Sequence, residues 1–259
     1  MKGLRNKLTT VLLIIIACSL LLVSCADKKG TDAENDDISV DEQFIKSFEK
    51  GLEARWELVE DETETVTAQN WEAYLDAEYT NIGKFANYKF EDKELEYWAK
   101  TYISMLDKSR AALKYYDTDR WGEIAEEVYV GRMQAMYEID KIYPLTVSDE
   151  YKSLLMQCLK DGATYSFVYE LISNLESGKQ AVTKEQSSGK VVYKFVVENT
   201  TPRTFESYSI TLDVLDKDGV TIDTKTVYCE DWEPGEKMRF EFTVYGDHES
   251  IKYKYTSWR

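Results

Sequence analysis

The chain has 259 residues, and 48 acidic against 32 basic side chains give it a formal net charge of −16 at neutral pH. A field of that sign repels phosphate backbones and anionic headgroups, so nucleic-acid binding and peripheral attraction to a membrane surface are both disfavoured. Hydrophobic residues make up 43% of the chain, enough for two cores at the usual ~100 to 200 residues per domain.

At the N-terminus, Lys2, Arg5 and Lys7 precede the apolar run Val11 to Val23, interrupted only by Ala17, Cys18 and Ser19. A basic start followed by a short apolar stretch is the pattern of a secretory signal. The stretch falls short of the ~20 residues a spanning helix needs, and Asp27, Lys28 and Lys29 follow at once, so a permanent transmembrane helix is not expected. It ends in Leu22-Val23-Ser24-Cys25, an aliphatic, a branched and a small residue before cysteine, which resembles the lipobox of bacterial lipoproteins. The resemblance implies a signal peptide over 1–24, cleavage before Cys25 and diacylglycerol on its thiol, with no cofactor beyond that covalent lipid. The protein is then expected at the extracytoplasmic face of the cell membrane, where two or more acyl chains give stable anchoring and one does not. Losing residues 1–24 takes Lys2, Arg5 and Lys7 with it and makes the chain more acidic still.

Residues 25–37 read as the lipidated cysteine and a tether. Ala26 to Asp37 contains no large apolar side chain, and a flexible segment of that length reaches on the order of 20 Å. Folding is expected to begin at Ser39, which forms a capping box with Glu42 ahead of Ile45, Phe48, Leu52, Trp56 and Val59 at helical spacing. The acidic run Glu60-Asp61-Glu62 ends that pattern. Trp71, Leu75, Glu78 or Tyr79, and Ile82 predict a second helix. Leu95, Trp98, Tyr102, Leu106, Ser109, Leu113 and Tyr116 predict a third. Asp119 is the expected cap of a fourth, carrying Trp121, Ile124, Val128, Ala135, Ile139 and Ile142 and stopped by Pro144. Ser148 opens a fifth, with Tyr151, Leu155, Cys158, Gly162, Tyr165, Tyr169 and Ile172 along one stripe, Gly162 marking a close helix contact. About five amphipathic helices with short links predict an antiparallel bundle over 38–178.

Over 179–189 the apolar period is lost and Gly, Ser, Lys and Gln dominate, the composition of a linker. A period of two then takes over. Val191, Tyr193, Phe195 and Val197 form one strand, and Tyr208, Ile210, Leu212 and Val214 another. A turn at Asp216-Lys217-Asp218-Gly219 leads to Val220, Ile222 and Val227 to Cys229. Glu233-Pro234-Gly235-Glu236 precedes Met238, Phe240, Phe242 and Val244, and Ile251, Tyr253 and Tyr255 complete the set. Short strands so spaced predict a small sandwich over 190–259. Asn199, Leu212-Asp213-Val214-Leu215-Asp216-Lys217-Asp218-Gly219 and Pro234-Gly235-Glu236 resemble the FxLYD domain of bacterial lipoproteins, with aliphatic residues in place of both aromatics of the namesake pattern. That resemblance implies an immunoglobulin-like β-sandwich at the cell envelope, and the whole chain reads as α+β with two domains.

Motifs for catalysis are thin. His248 is the sole histidine and sits in the turn Gly246-Asp247-His248-Glu249, so neither a Ser-His-Asp nor a Cys-His arrangement is expected to rest on it. The predicted bundle holds no histidine for a Glu-x-x-His di-iron site, and Cys158, Cys229 and His248 lack zinc-ligand spacing. Cys158 and Cys229 fall in different predicted domains and read as buried, inert thiols. Asp216 and Asp218 match part of a calcium loop, but Thr221, Ile222 and Asp223 stand where further ligands belong, and a hairpin turn accounts for the same residues. Ser47 with Lys50 and Ser187 with Lys190 match Ser-x-x-Lys without its companion Ser-Asp-Asn and Lys-Thr-Gly elements. Glu123, Glu126 and Glu127 lie mainly on the wet face of the fourth helix.

No catalytic or metal-ligating residue is assigned, and the chain reads as a non-enzymatic binding module. It is tied to the membrane through its lipid and partnered by an envelope protein or a cell-wall component. A receptor holding a small molecule or a cation is the alternative, requiring polar residues that converge inward, and a cell-wall enzyme built on a carboxylate pair is the third reading.

Overall fold

The computed structural model describes residues 38–60, 66–187 and 189–259, so the signal sequence, the lipobox residues Leu22, Val23, Ser24 and Cys25, and the tether lie outside the described residues. The described residues form five α-helices and six β-strands, an α+β arrangement in two compact units divided between Tyr165 and Ser166.

The helical unit contains α1 (Val40–Glu60), α2 (Ala68–Ile82), α3 (Lys93–Ala112), α4 (Asp119–Ile142) and the first half of α5 (Lys152–Glu176). Most of the stripe residues read from the sequence become its interior, joined by Phe44, while Val59 at the end of the first stripe is 45% exposed. Phe44, Phe48, Leu52, Leu75, Ile82, Leu95, Tyr102, Leu106 and Ile139 are all at most 1% exposed. Aromatic contacts knit the centre: Phe48 stacks on Phe44 with ring centroids 5.5 Å apart and meets Tyr102 edge-on at 4.6 Å. Short links leave consecutive helices antiparallel, with α1 against α2 and α3 against α4.

Helix starts follow local chemistry, with two corrections. Ser39 opens α1 by accepting from the Glu42 backbone N–H through Oγ at 3.2 Å. Thr67 and Asn70 form a reciprocal capping box at α2, and Asp92 caps α3 by accepting from the N–H groups of Glu94 and Leu95. For α4 the cap is Thr118, whose Oγ1 accepts from the Trp121 N–H, and Asp119 is the first helical residue. Asp117, Thr118 and Asp119 are all capping residue types, and the choice among them falls to the chain reversal at Asp117, which holds φ 63°. Ser148 makes no side-chain cap; it precedes a 3₁₀ turn at Asp149–Tyr151 from which α5 continues. The third stripe likewise tightens into a 3₁₀ turn at Leu113–Tyr115 before reaching Tyr116.

Gly162 is a close helix contact as its position predicted. A Cβ there would lie 2.2 Å from the carbonyl oxygen of Met133 and 2.6 Å from the Cβ of Tyr137, both on α4.

The second unit comprises residues 166–259: the rest of α5 and β1 (Val182–Ser187), β2 (Lys190–Glu198), β3 (Phe205–Leu215), β4 (Thr221–Trp232), β5 (Lys237–Tyr245) and β6 (Ser250–Trp258). Two antiparallel three-stranded sheets run β1-β2-β5 and β4-β3-β6. The β1–β2 and β3–β4 connections stay within a sheet, while the other three cross between sheets. An immunoglobulin-type sandwich shows the same order when β1, β2 and β5 take the A, B and E positions and β3, β4 and β6 take C, C′ and F. Between the sheets lie Phe195, Phe205, Tyr208, Ile210, Val214, Trp232, Phe240 and Val244, none more than 3% exposed.

Two features of this unit depart from the sequence reading. The segment 179–189 contains β1, which pairs with β2 from Val182↔Phe195 to Ser187↔Lys190. Its polar side chains are exposed along the edge of the sheet, where Lys and Glu protect against further pairing, so a strand and a polar linker have the same composition here. The second difference lies in α5, whose residues Phe167, Val168, Leu171 and Ile172 join the sandwich core; the Phe167 ring is 5.8 Å from Trp232 and 6.3 Å from Phe205. Of the stripe read from the sequence only Ile172 enters this core; Tyr169 is 38% exposed, and Phe167, Val168 and Leu171, which lie off that stripe, are buried in its place.

Asn199 ties one end of the sandwich together. It is fully buried; its Nδ2 donates to the carbonyls of Arg203 (2.8 Å) and Trp232 (3.0 Å), while Oδ1 accepts from the backbone N–H and hydroxyl of Thr201. Its own N–H donates to Glu236 and its carbonyl accepts from Gly235, which holds φ 79° in the turn after β4. Trp232 Nε1 donates to the same Glu236 carbonyl at 2.9 Å. The Asn199 and Pro234-Gly235-Glu236 elements of the sequence are thus two sides of one buried hydrogen-bonded corner, in which every polar atom of the asparagine is satisfied.

Candidate functional site

The most concentrated polar chemistry among the described residues lies inside the helical unit, where four helices contribute one side chain each: Arg55 from α1, Glu78 from α2, Tyr102 from α3 and Arg132 from α4. Glu78 is 1% exposed and Tyr102 fully buried. Arg132 Nη2 donates to both carboxylate oxygens of Glu78, at 2.5 and 2.7 Å, and to the Tyr102 hydroxyl at 2.7 Å. The Tyr102 hydroxyl donates in turn to Glu78 Oε2 at 3.3 Å. Arg55 Nη1 lies 3.5 Å from Glu78 Oε1, and the Arg55 guanidinium sits over the Trp71 ring, 5.7 Å from its centroid.

Electrostatics fit this arrangement. Burial works against the charge on Arg132, but Glu78 and Tyr102 beside it more than compensate and raise its pKa. Burial lowers the pKa of Arg55, and repulsion from Arg132 adds to the effect. Tyr102 is pushed well above the usual phenol range by its burial, with Glu78 reinforcing the shift and Arg132 opposing it. The phenol therefore keeps its proton across the physiological range. The carboxylate oxygens accept bonds from inside the cluster, and the arrangement fastens four helices in one register.

Sequence reasoning placed Tyr102 and Glu78 on apolar stripes but passed over both arginines. A signal was present: Arg132 falls four residues after Val128 and three before Ala135, a charged residue at an inward position. Inward-converging polar residues do therefore occur in this unit, and they converge on one another.

A second feature of the same unit is an open cleft of about 320 Å³ lined by Lys46, Glu49, Lys50, Glu53 and Thr146 to Ser148. Glu49 Oε1 accepts from the N–H and hydroxyl of Thr146 at 2.7 and 2.9 Å, and Glu53 Oε1 from the Ser148 N–H at 2.6 Å. Both carboxylates thereby hold the loop after Pro144 against α1. Lys50, the lysine of one Ser-x-x-Lys match, lies on this cleft. In the other match Ser187 and Lys190 are register partners across the β1–β2 hairpin.

The remaining candidates take ordinary structural places. Asp216 Oδ1 accepts from the backbone N–H groups of Asp218 and Val220, both at 2.9 Å, and Gly219 holds φ 76°, so the carboxylate closes its own hairpin. Among the described residues no group of three or more His, Cys, Asp or Glu side chains is placed to hold a metal ion. His248 meets the Tyr193 hydroxyl through Nε2, which makes it half-buried and partnered, not a freely solvated loop residue. Glu127 pairs with Lys108, while Glu123 and Glu126 face outward on α4.

Cys158 and Cys229 are free thiols, one in each unit, and both are partly buried. Burial pushes each up to about 11. At neutral pH they are protonated and correspondingly poor nucleophiles.

No family model matches the chain, and no curated protein matches it. Among solved structures, the alkylpurine DNA glycosylase AlkC of Pseudomonas fluorescens, bound to DNA containing an abasic-site analogue, aligns with 82% of this chain and 75% of its own. The alignment has 8% identity and a TM-score of 0.18, a level of likeness that carries no argument about fold or activity. No described helix is long and apolar enough to cross a membrane.

Proposed function

We propose that the protein is a bacterial envelope lipoprotein, held at the extracytoplasmic face of the cell membrane by diacylglycerol on Cys25, and that it acts there as a non-catalytic binding module. One observation carries the reading: the basic start Lys2, Arg5 and Lys7, the apolar run Val11 to Val23 and Leu22-Val23-Ser24-Cys25 occur in the order that export and lipidation require. An α+β chain of a helical unit followed by an immunoglobulin-type sandwich supports a binding role, because it offers two surfaces to an envelope protein or a cell-wall component. The bonds from Arg132 to Glu78 and Tyr102, and from Tyr102 to Glu78, fit a part that packs helices together.

Metabolic labelling with an alkyne-bearing palmitate in a bacterial host tests the anchor. Label is expected on the native chain in the membrane fraction and absent from Cys25→Ala. Equal labelling of the two would overturn the assignment of Cys25. Crosslinking in living cells, with Cys25→Ala as control, tests the binding role through recovery of one envelope partner with the tethered form only.

A further inference from the structure

We draw no further inference here: the strongest candidate, the open edge of β4 with the exposed side chains of Val220, Ile222 and Tyr228 on it and on the turn before it, is an unpartnered apolar face and nothing in the structure shows what covers it.

Discussion

With Arg132 and Tyr102 bonded to its oxygens and Arg55 at 3.5 Å, Glu78 is the shared partner of side chains from three other helices. Glu78→Ala leaves two buried guanidinium groups facing each other, and removing one member of a buried ion cluster costs roughly 3–5 kcal/mol. Urea unfolding of the variant is expected to show a loss of that size, with Glu78→Gln losing less because the amide oxygen still accepts. Replacing Arg55, Glu78 and Arg132 together by methionine, leucine and methionine removes the charges along with their partners, so its loss should be smaller than that of Glu78→Ala. A triple variant less stable than the single one would show that the ion cluster is a net source of stability. Cys158 gives a pH signature of known sign. Its folded pKa of about 11 lies above that of an unfolded thiol, ~8.5, so the native state keeps a proton that the unfolded chain releases. Stability should therefore fall as pH rises from ~8.5 towards 11 and be insensitive to this group at lower pH. Denaturation midpoints measured at ~pH 7.5 and ~pH 10 should converge in Cys158→Ala relative to the native chain. An unchanged difference would assign the alkaline loss to the other groups whose pKa values burial raises, Cys229 and the tyrosines Tyr102 and Tyr208.

At the scale of elements, the contact between α4 and α5 is set by a missing side chain. Gly162→Ala must push against the Met133 carbonyl, a backbone atom that cannot swing aside, and overpacking of this kind typically costs 1–3 kcal/mol. Gly122 in the first turn of α4 has nothing within 4 Å of its Cβ position, so Gly122→Ala is expected to gain ~0.5–1 kcal/mol through helix propensity alone. Thermal unfolding of the two variants should move in opposite directions. Among the described residues, period and length made all five helices legible, and the same reasoning found five of the six strands, from Val191 to Tyr255. It missed β1 because an edge strand exposing Thr183, Lys184, Glu185 and Gln186 has no alternation to read. The α4 cap was misplaced by one residue because Asp117-Thr118-Asp119 offers three acceptors, and backbone geometry makes the choice.

For the whole molecule, net charge gives the plainest expectation. At −16 the chain should produce no change in fluorescence anisotropy of a labelled duplex at physiological salt. Saturable binding there would require a local basic surface strong enough to overcome that field. The order of helices and strands, together with the α+β class, came from the sequence alone, because burial imposes its period on any element that packs one face inward. Turn chemistry was equally local: Asp216 closes its hairpin through bonds spanning no more than four residues. Only the tertiary structure decided where one core ends and the next begins, since within the single helix α5 Leu155 packs among the helices and Phe167 among the strands, while Tyr169 of the stripe read from the sequence is exposed. It alone also brought together Arg55, Glu78, Tyr102 and Arg132, because an ion cluster assembled from four helices depends on distances between residues as many as 77 positions apart in the chain, which no local pattern encodes.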